Sequence, residues 1–230
     1  MDSRLNIIIG AYGSGKSEFS LHLARSFKNQ GLDVVLADLD VVNPYFRSRE
    51  MQEEFAVEGI DIIAPEGEYK HSDLPMISPR IKGAIQNPAK TVILDVGGDP
   101  AGCRTLGRFE EPIKKRGYNM LYIVNTMRPF TSTVEEIITM KEGLEATSRL
   151  KITEIVCNTN LMEETTLDIV CDGIQIVDKA AKQLELPFTT YLVMKIYEKI
   201  VPDNLCGKKR EIMAYNLKKP WEFLVARGIC

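Results

Sequence analysis

The sequence contains no apolar run close to the roughly 20 residues that cross a bilayer, and no small-residue cleavage site lies between the charged start and the first apolar segment. Neither a membrane span nor a secretory leader is expected. Its five cysteines, Cys103, Cys157, Cys171, Cys206 and Cys230, form no C-x-x-C pair and no zinc spacing. Their odd number and largely apolar surroundings predict buried, reduced thiols and a cytoplasmic protein. Basic charge is not in excess: 29 Lys and Arg stand against 32 Asp and Glu, for a net charge of −3. That balance argues against a chain whose task is coating nucleic acid. The local cluster Lys208, Lys209 and Arg210 reads as a solvated face. Linkers, repeats and low-complexity tracts are also missing, so residues 1–230 are expected to form a single domain.

What is present is alternation. Short β-branched and apolar runs read as buried strands at Leu5–Ile9, Val34–Ala37, Ile60–Ile63, Thr91–Leu94, Met120–Val124, Ile152–Cys157 and Thr189–Val193. Longer amphipathic stretches read as helices at Ser17–Asn29, Pro44–Val57, Ser78–Gln86, Cys103–Arg116, Ser132–Arg149 and Thr165–Leu184, with a short last one near Trp221–Ala226. This order predicts a three-layer α/β/α fold with a mostly parallel central sheet. The Pro- and charge-rich segment Pro65–Pro79 reads as a long connection or a loop over a site.

"GAYGSGKS", Gly10 to Ser17, follows the first strand and opens the first helix, the context in which G-x-x-x-x-G-K-[ST] binds phosphate. Gly10, Gly13 and Gly15 let the backbone turn its N–H groups inward without a Cβ in the way. Ser14 and Glu18 belong to the same cradle, and the helix N-terminus adds its positive dipole end. Lys16 would neutralise the β- and γ-phosphates, and the Ser17 hydroxyl would ligate Mg²⁺. The second strand ends in Asp38-Leu-Asp40, where open α/β sheets place ligands. These carboxylates can hold Mg²⁺ through water, orient an attacking water, or simply start a turn. "LDVGGDPAG" ends a further strand in Asp95, a holder of the metal. Gly98, three residues on, can offer its N–H to a γ-phosphate. The loop would then sense whether that phosphate is there.

On "GAYGSGKS", "ADLDVVNP" and "LDVGGDPAG" the chain resembles the CobQ/CobB/MinD/ParA nucleotide-binding family of SIMIBI-class P-loop proteins, closely over the first hundred residues and loosely beyond. The resemblance implies that Asp38 and Asp40 lie in a switch I, with Asp40 positioning water, that Asp95 is the Walker B aspartate, and that Gly98 is the switch II glycine. It favours ATP over GTP, since no N/T-K-x-D guanine signature occurs. It also makes Asn158 the candidate adenine contact, with Asn160 second. MinD- and ParA-like members often carry a lysine after the first loop glycine that reaches across a nucleotide-sandwiched dimer. This chain has Ala11 and Tyr12 there, so a homodimer does not carry over directly. Arg104 and Arg108 read as surface residues of the following helix. Cys103, alone near switch II, is a poor match for the shared metal clusters of some relatives. The terminal "KKPWEFLVARGIC" reads as a docked helix, not a membrane anchor.

The expected activity is a Mg²⁺-dependent ATPase acting as a nucleotide switch for a protein partner, with Lys16 and Asp40 as the catalytic pair. The alternative is a small-molecule kinase or ATP-dependent ligase of the dethiobiotin or cobyrinate synthetase type, with His71 and Asp73 of the Pro65–Pro79 loop lining its substrate site.

Overall fold

A computed structural model describes residues 4–40, 52–63, 79–98 and 100–215. The expected helix from Pro44 up to residue 51, the Pro65–Pro79 loop up to residue 78 and the helix near Trp221–Ala226 lie outside these residues, as does Cys230. Seven strands fall where the apolar runs predict them: β1 (Leu5–Ile9), β2 (Val34–Asp38), β3 (Asp61–Ile63), β4 (Thr91–Asp95), β5 (Asn119–Val124), β6 (Glu154–Cys157) and β7 (Phe188–Met194). They join β8 (Asn204–Leu205) and β9 (Lys208–Met213) in one nine-stranded sheet of order β3-β2-β4-β1-β5-β6-β7-β9-β8. Every pairing is parallel except β8 with β9.

Alternate residues of the central strands feed two cores, which is why those strands are apolar throughout. Leu5, Ile7 and Ile9 of β1, with Val35 and Ala37 of β2, pack against Ile81, Leu106, Ile113, Ile137 and Ile174 from the helices of one face. Those helices are α3 (Pro79–Gln86), α4 (Pro100–Gly107), α5 (Glu110–Arg116), α6 (Val134–Ser148) and α7 (Leu167–Gln183). Ile8, Val34, Leu36 and Ile93 point the other way, onto Phe19 and Leu21 of α1 (Lys16–Asn29) and Phe55 of α2 (Gln52–Val57). The result is the expected three-layer α/β/α arrangement.

Two sequence expectations need correction. The helix read over Cys103–Arg116 is two helices, α4 and α5, broken at Arg108 and Phe109. Pro112 explains the break: its ring would clash with the carbonyl four residues back, at Arg108, if the helix ran through. Phe109 instead turns inward and is buried. The basic cluster is not a solvated face but strand β9. Lys208 stands 4.6 Å over the Phe188 ring and pairs with Asp178 at 2.8 Å. Arg210 pairs with Asp203 and donates to the Glu198 carbonyl; only Lys209 faces outward. The hairpin turns at Cys206 and Gly207, both at positive φ (52° and 75°), as a tight two-residue turn demands. Cys206 is therefore exposed, whereas Cys103 and Cys157 are buried as expected.

The order β2-β4-β1-β5-β6 decides where chemistry can occur. These five strands run parallel, so their carboxyl ends share one edge, and the chain leaves β1 for β2 on one side while β4 crosses to β5 on the other. Asp38, Asp95, Gly10, Asn125 and Asn158 stand at or just beyond those five ends.

Candidate nucleotide-binding site

The loop after β1 is shaped by positions at which only glycine fits. Gly13 and Gly15 have φ of 73° and 89°, a region that side-chain-bearing residues rarely adopt. A Cβ on Gly10 would stand 2.3 Å from the Ile123 carbonyl oxygen of β5. Within the loop, the Ser14 N–H donates to Ala11 O at 3.2 Å. Lys16, only 7% exposed, folds back so that Nζ donates to the Ala11 carbonyl at 2.9 Å. The ammonium is thus held inside the arc of the loop, where a phosphate chain would meet it. Glu18 is buried in the first turn of α1.

Gly98 closes the arc from the β4 side. A Cβ there would stand 2.7 Å from the Tyr12 amide nitrogen and 2.8 Å from Lys16 Nζ. Gly97 in turn rests on Gly102 of α4, where a Cβ on Gly102 would lie 2.6 Å from the Gly97 Cα. The Cys103 thiol donates to Gly97 O at 3.7 Å, so this cysteine packs behind the loop. No group of three His, Cys, Asp or Glu able to hold a metal occurs among the described residues.

Asp95 is the electrostatic centre. It is 1% exposed, and burial pushes its pKa up to about 6 against the opposing Ser17 hydrogen bond and Lys16 charge, with nearby Asp40 pushing the same way as burial. Its Oδ1 is buried without a hydrogen-bond partner among the described residues. A buried carboxyl bonded to Ser17, with one oxygen unpartnered among the described residues and burial outweighing the Lys16 charge, suits a hard divalent cation that favours oxygen donors. The residues fit Mg²⁺ in that sense. Asp38 is paired in register with Asp95, and its Oδ1 accepts the Asp40 N–H at 3.0 Å, so it also makes the turn that aims Asp40. Asp40 Oδ1 lies 3.2 Å from where a Gly97 Cβ would be, which puts its carboxylate over the Gly97–Gly98 loop. Lys16, Ser17, Asp38, Asp40, Asp95 and Gly98 thus converge.

The model of the CobQ/CobB/MinD/ParA nucleotide binding domain matches residues 7–199. The chain belongs to this family. Solved structures agree on the fold. The cell division protein FtsY of Thermotoga maritima superposes with a TM-score of 0.57 at 19% identity, over 84% of this chain and 65% of that one. Chloroplast FtsY of Physcomitrella patens gives 0.54 at 15% identity, over 81% and 57%, and FtsY of Mycoplasma mycoides 0.52 at 16%, over 82% and 60%. The chain therefore spans about three fifths of the length of these neighbours. No curated protein sequence matches it. Family and fold together make it a nucleotide-binding P-loop protein of the SIMIBI class.

On the other flank, this family member uses asparagines the sequence only half reveals. Asn158, after β6, is 3% exposed and its Nδ2 donates to the Ser14 carbonyl at 2.8 Å. A Cβ on Gly15 would stand 2.2 Å from that nitrogen. The amide expected to read adenine is thus engaged with the phosphate loop. Asn160 donates from Nδ2 to Asn158 O at 2.9 Å. Asn125, missed in the sequence, joins both strand ends: its Oδ1 accepts the N–H of Met127 at 3.0 Å and of Asn160 at 3.3 Å, while its Nδ2 donates to Asn160 O at 3.1 Å. Arg128 was missed too. Its Cδ and Nε lie 3.4 Å from where a Gly13 Cβ would be, so the side chain runs across the loop glycine. Arg104 and Arg108 are exposed, as expected. The one local signal for Asn125 and Arg128 is a polar residue ending the buried run "LYIVN".

Proposed function

We propose that the protein is a slow, Mg²⁺-dependent ATPase that works as a nucleotide switch for a protein partner. The observation that carries this reading is Gly98 set against Lys16 Nζ with no room for a side chain. A loop this close to the γ-phosphate position can adopt one arrangement when that phosphate is bound and another when it has left. Lys16 neutralises phosphate charge, and the N–H groups of the Gly10–Ser17 loop bind the chain of phosphates. Ser17 would hold Mg²⁺ directly, with Asp95 and Asp38 behind it. A metal held there would supply charge neutralisation to the phosphates. Asp40 orients water toward the terminal phosphorus. Catalysis on this account comes from positioning and fixed charge, with no covalent intermediate.

Adenine is preferred because the residues after β6, Asn158-Thr159-Asn160, offer no carboxylate of the kind guanine signatures use. Asn160 is the second candidate base contact; Asn158 is engaged with Ser14, and the Asn160 Nδ2 with the Asn158 carbonyl. A soluble cytoplasmic protein remains the expectation, and no helix among the described residues is long and apolar enough to cross a membrane.

Nucleotide binding by calorimetry with ATP, GTP and ADP, each with and without Mg²⁺, tests the reading together with two variants. Lys16→Ala should weaken Mg·ATP binding at least about 100-fold, as loss of a charge-assisted phosphate contact implies. Asp40→Ala should keep binding within about threefold and lose turnover. Equal ATP binding by Lys16→Ala would overturn the site. Tight binding with turnover that appears only on adding a small-molecule acceptor would favour the kinase or ligase reading.

A further inference from the structure

The family's cross-protomer lysine has no counterpart here, because the position after Gly10 is Ala11, 2% exposed. A P-loop that holds a triphosphate still needs positive charge where the terminal phosphoryl leaves. Lys16 covers only one side of it.

Arg128 stands on the other side. It lies in the turn after β5, in the sequence Asn125-Thr-Met-Arg128. The turn is rigidly tied: the Arg128 N–H donates to Asn125 O at 3.1 Å, and the Thr131 hydroxyl donates to Asn125 O at 2.9 Å. Asn125 Oδ1 caps the same turn through the Met127 N–H. From there the side chain passes over Gly13 with Cγ, Cδ and Nε at 3.9, 3.4 and 3.4 Å from where a Cβ would be. A side chain at Gly13 would meet that path. Nε is buried with no hydrogen-bond partner among the described residues, an arrangement that costs free energy unless an acceptor is supplied. Gly13 is the fourth residue of the phosphate loop. With its Cδ and Nε against that glycine, the Arg128 guanidinium is within reach of a phosphate chain held by the loop.

We infer that Arg128 is a catalytic arginine supplied in cis, donating hydrogen bonds to the β–γ bridging oxygen and terminal phosphoryl as charge builds there. This rests on the hydrolase reading above. In the step, water adds to the terminal phosphorus, and the bond from that phosphorus to the bridging oxygen breaks with its electron pair staying on ADP. The protons of the attacking water leave on the phosphate product and to solvent. Arg128 donates hydrogen bonds throughout and transfers no proton. Its planar fork can serve two oxygens at once, which a lysine cannot do.

The test compares wild type, Arg128→Ala and Arg128→Lys by single-turnover hydrolysis of Mg·ATP and by calorimetric affinity for Mg·ADP, with melting temperature as the folding control. Arg128→Ala should lose at least about 100-fold in rate while its ADP affinity stays within about threefold of wild type. Free guanidinium ion should restore part of the lost rate, and Arg128→Lys should not recover it. An Arg128→Ala rate within threefold of wild type overturns the assignment. So does a loss confined to ADP and ATP affinity with an unchanged rate at saturation, or full recovery by Arg128→Lys. A wild-type protein without turnover would instead remove the hydrolase reading, and Arg128's role with it.

Discussion

Asp95 ends β4 at 1% exposure, within reach of Ser17, Lys16 and Asp40. Its pKa of about 6, above the ordinary 3.8 because of burial, means that the native state keeps a proton where the unfolded chain has released it. Stability from this group is therefore full below pH 3.8 and falls as pH rises to about 6. Above that the native protein carries a buried charge at a cost of up to about 3 kcal/mol. Asp95→Asn removes the charge and keeps the shape. Without nucleotide, the variant should melt higher than wild type at pH 8 and show a smaller gain at pH 5. It should also lose the Mg²⁺ dependence of ATP binding. A variant that melts at or below wild type at pH 8 would show that Lys16 and Ser17 fully offset the burial, leaving no strain for a metal to relieve. Such a trade of resting stability for function is expected at a site that must accept a cation.

At the level of elements, the hydrophobic runs located seven strands to within a residue or two because β1, β2 and β4 are buried throughout and the others over part of their length, and burial is what apolar sequence reports. The β8–β9 hairpin escaped because its stabilisation is of another kind: Lys208 and Arg210 are held by Phe188, Asp178 and Asp203, all distant or unremarkable in sequence. The end of α6 shows the same logic. Glu145, 7% exposed, sits in the last helical turn, where the helix dipole disfavours a negative charge. Burial alone would raise its pKa. A hydrogen bond from Lys151 at 2.7 Å, one from the Ile152 N–H at 2.9 Å and the Lys141 ammonium at 3.1 Å outweigh that and hold the carboxyl below its ordinary range. The sign follows from the lowered pKa. The stabilisation is complete above the unfolded value of 4.5 and is lost as pH falls through the native one. Glu145→Gln should therefore cost about 1–2 kcal/mol at pH 7, as loss of charge-assisted hydrogen bonds implies. The gap to wild type should close in acid. Thermal melts of both proteins from pH 7 to pH 3 read it directly, and a gap that stays constant would mean the glutamate acts through shape alone.

For the whole molecule, the half of the site that was legible in sequence is the half built from contiguous stretches: loop, strand end and switch each carry their own local reason for glycine or aspartate. Asn125, Arg128 and the engagement of Asn158 with Ser14 were not legible, because they arise only when β5 and β6 are laid beside β1. That assembly also sets what the nucleotide face presents outward. Tyr12, beside Gly13 in the loop, is 66% exposed, and Met127 and Phe130, either side of Arg128, are 40% and 69% exposed. Phe130 is held at a φ of 67°, unusual for an aromatic residue. Large apolar groups around a binding site on an otherwise charged surface are what a docking face requires. On the switch reading this face would admit a partner only when the γ-phosphate fixes the Gly98 loop, and a second copy is the partner tested first. Light scattering should then give a monomer mass without nucleotide and with Mg·ADP, and a dimer mass with a non-hydrolysable Mg·ATP analogue. Tyr12→Ser with Phe130→Ser should stay monomeric while binding the analogue as tightly as wild type. A mass indifferent to nucleotide would mean that this face serves a different protein or a substrate, and the missing lysine at Ala11 would then mark a site that works within one chain, with Arg128 as its own source of charge.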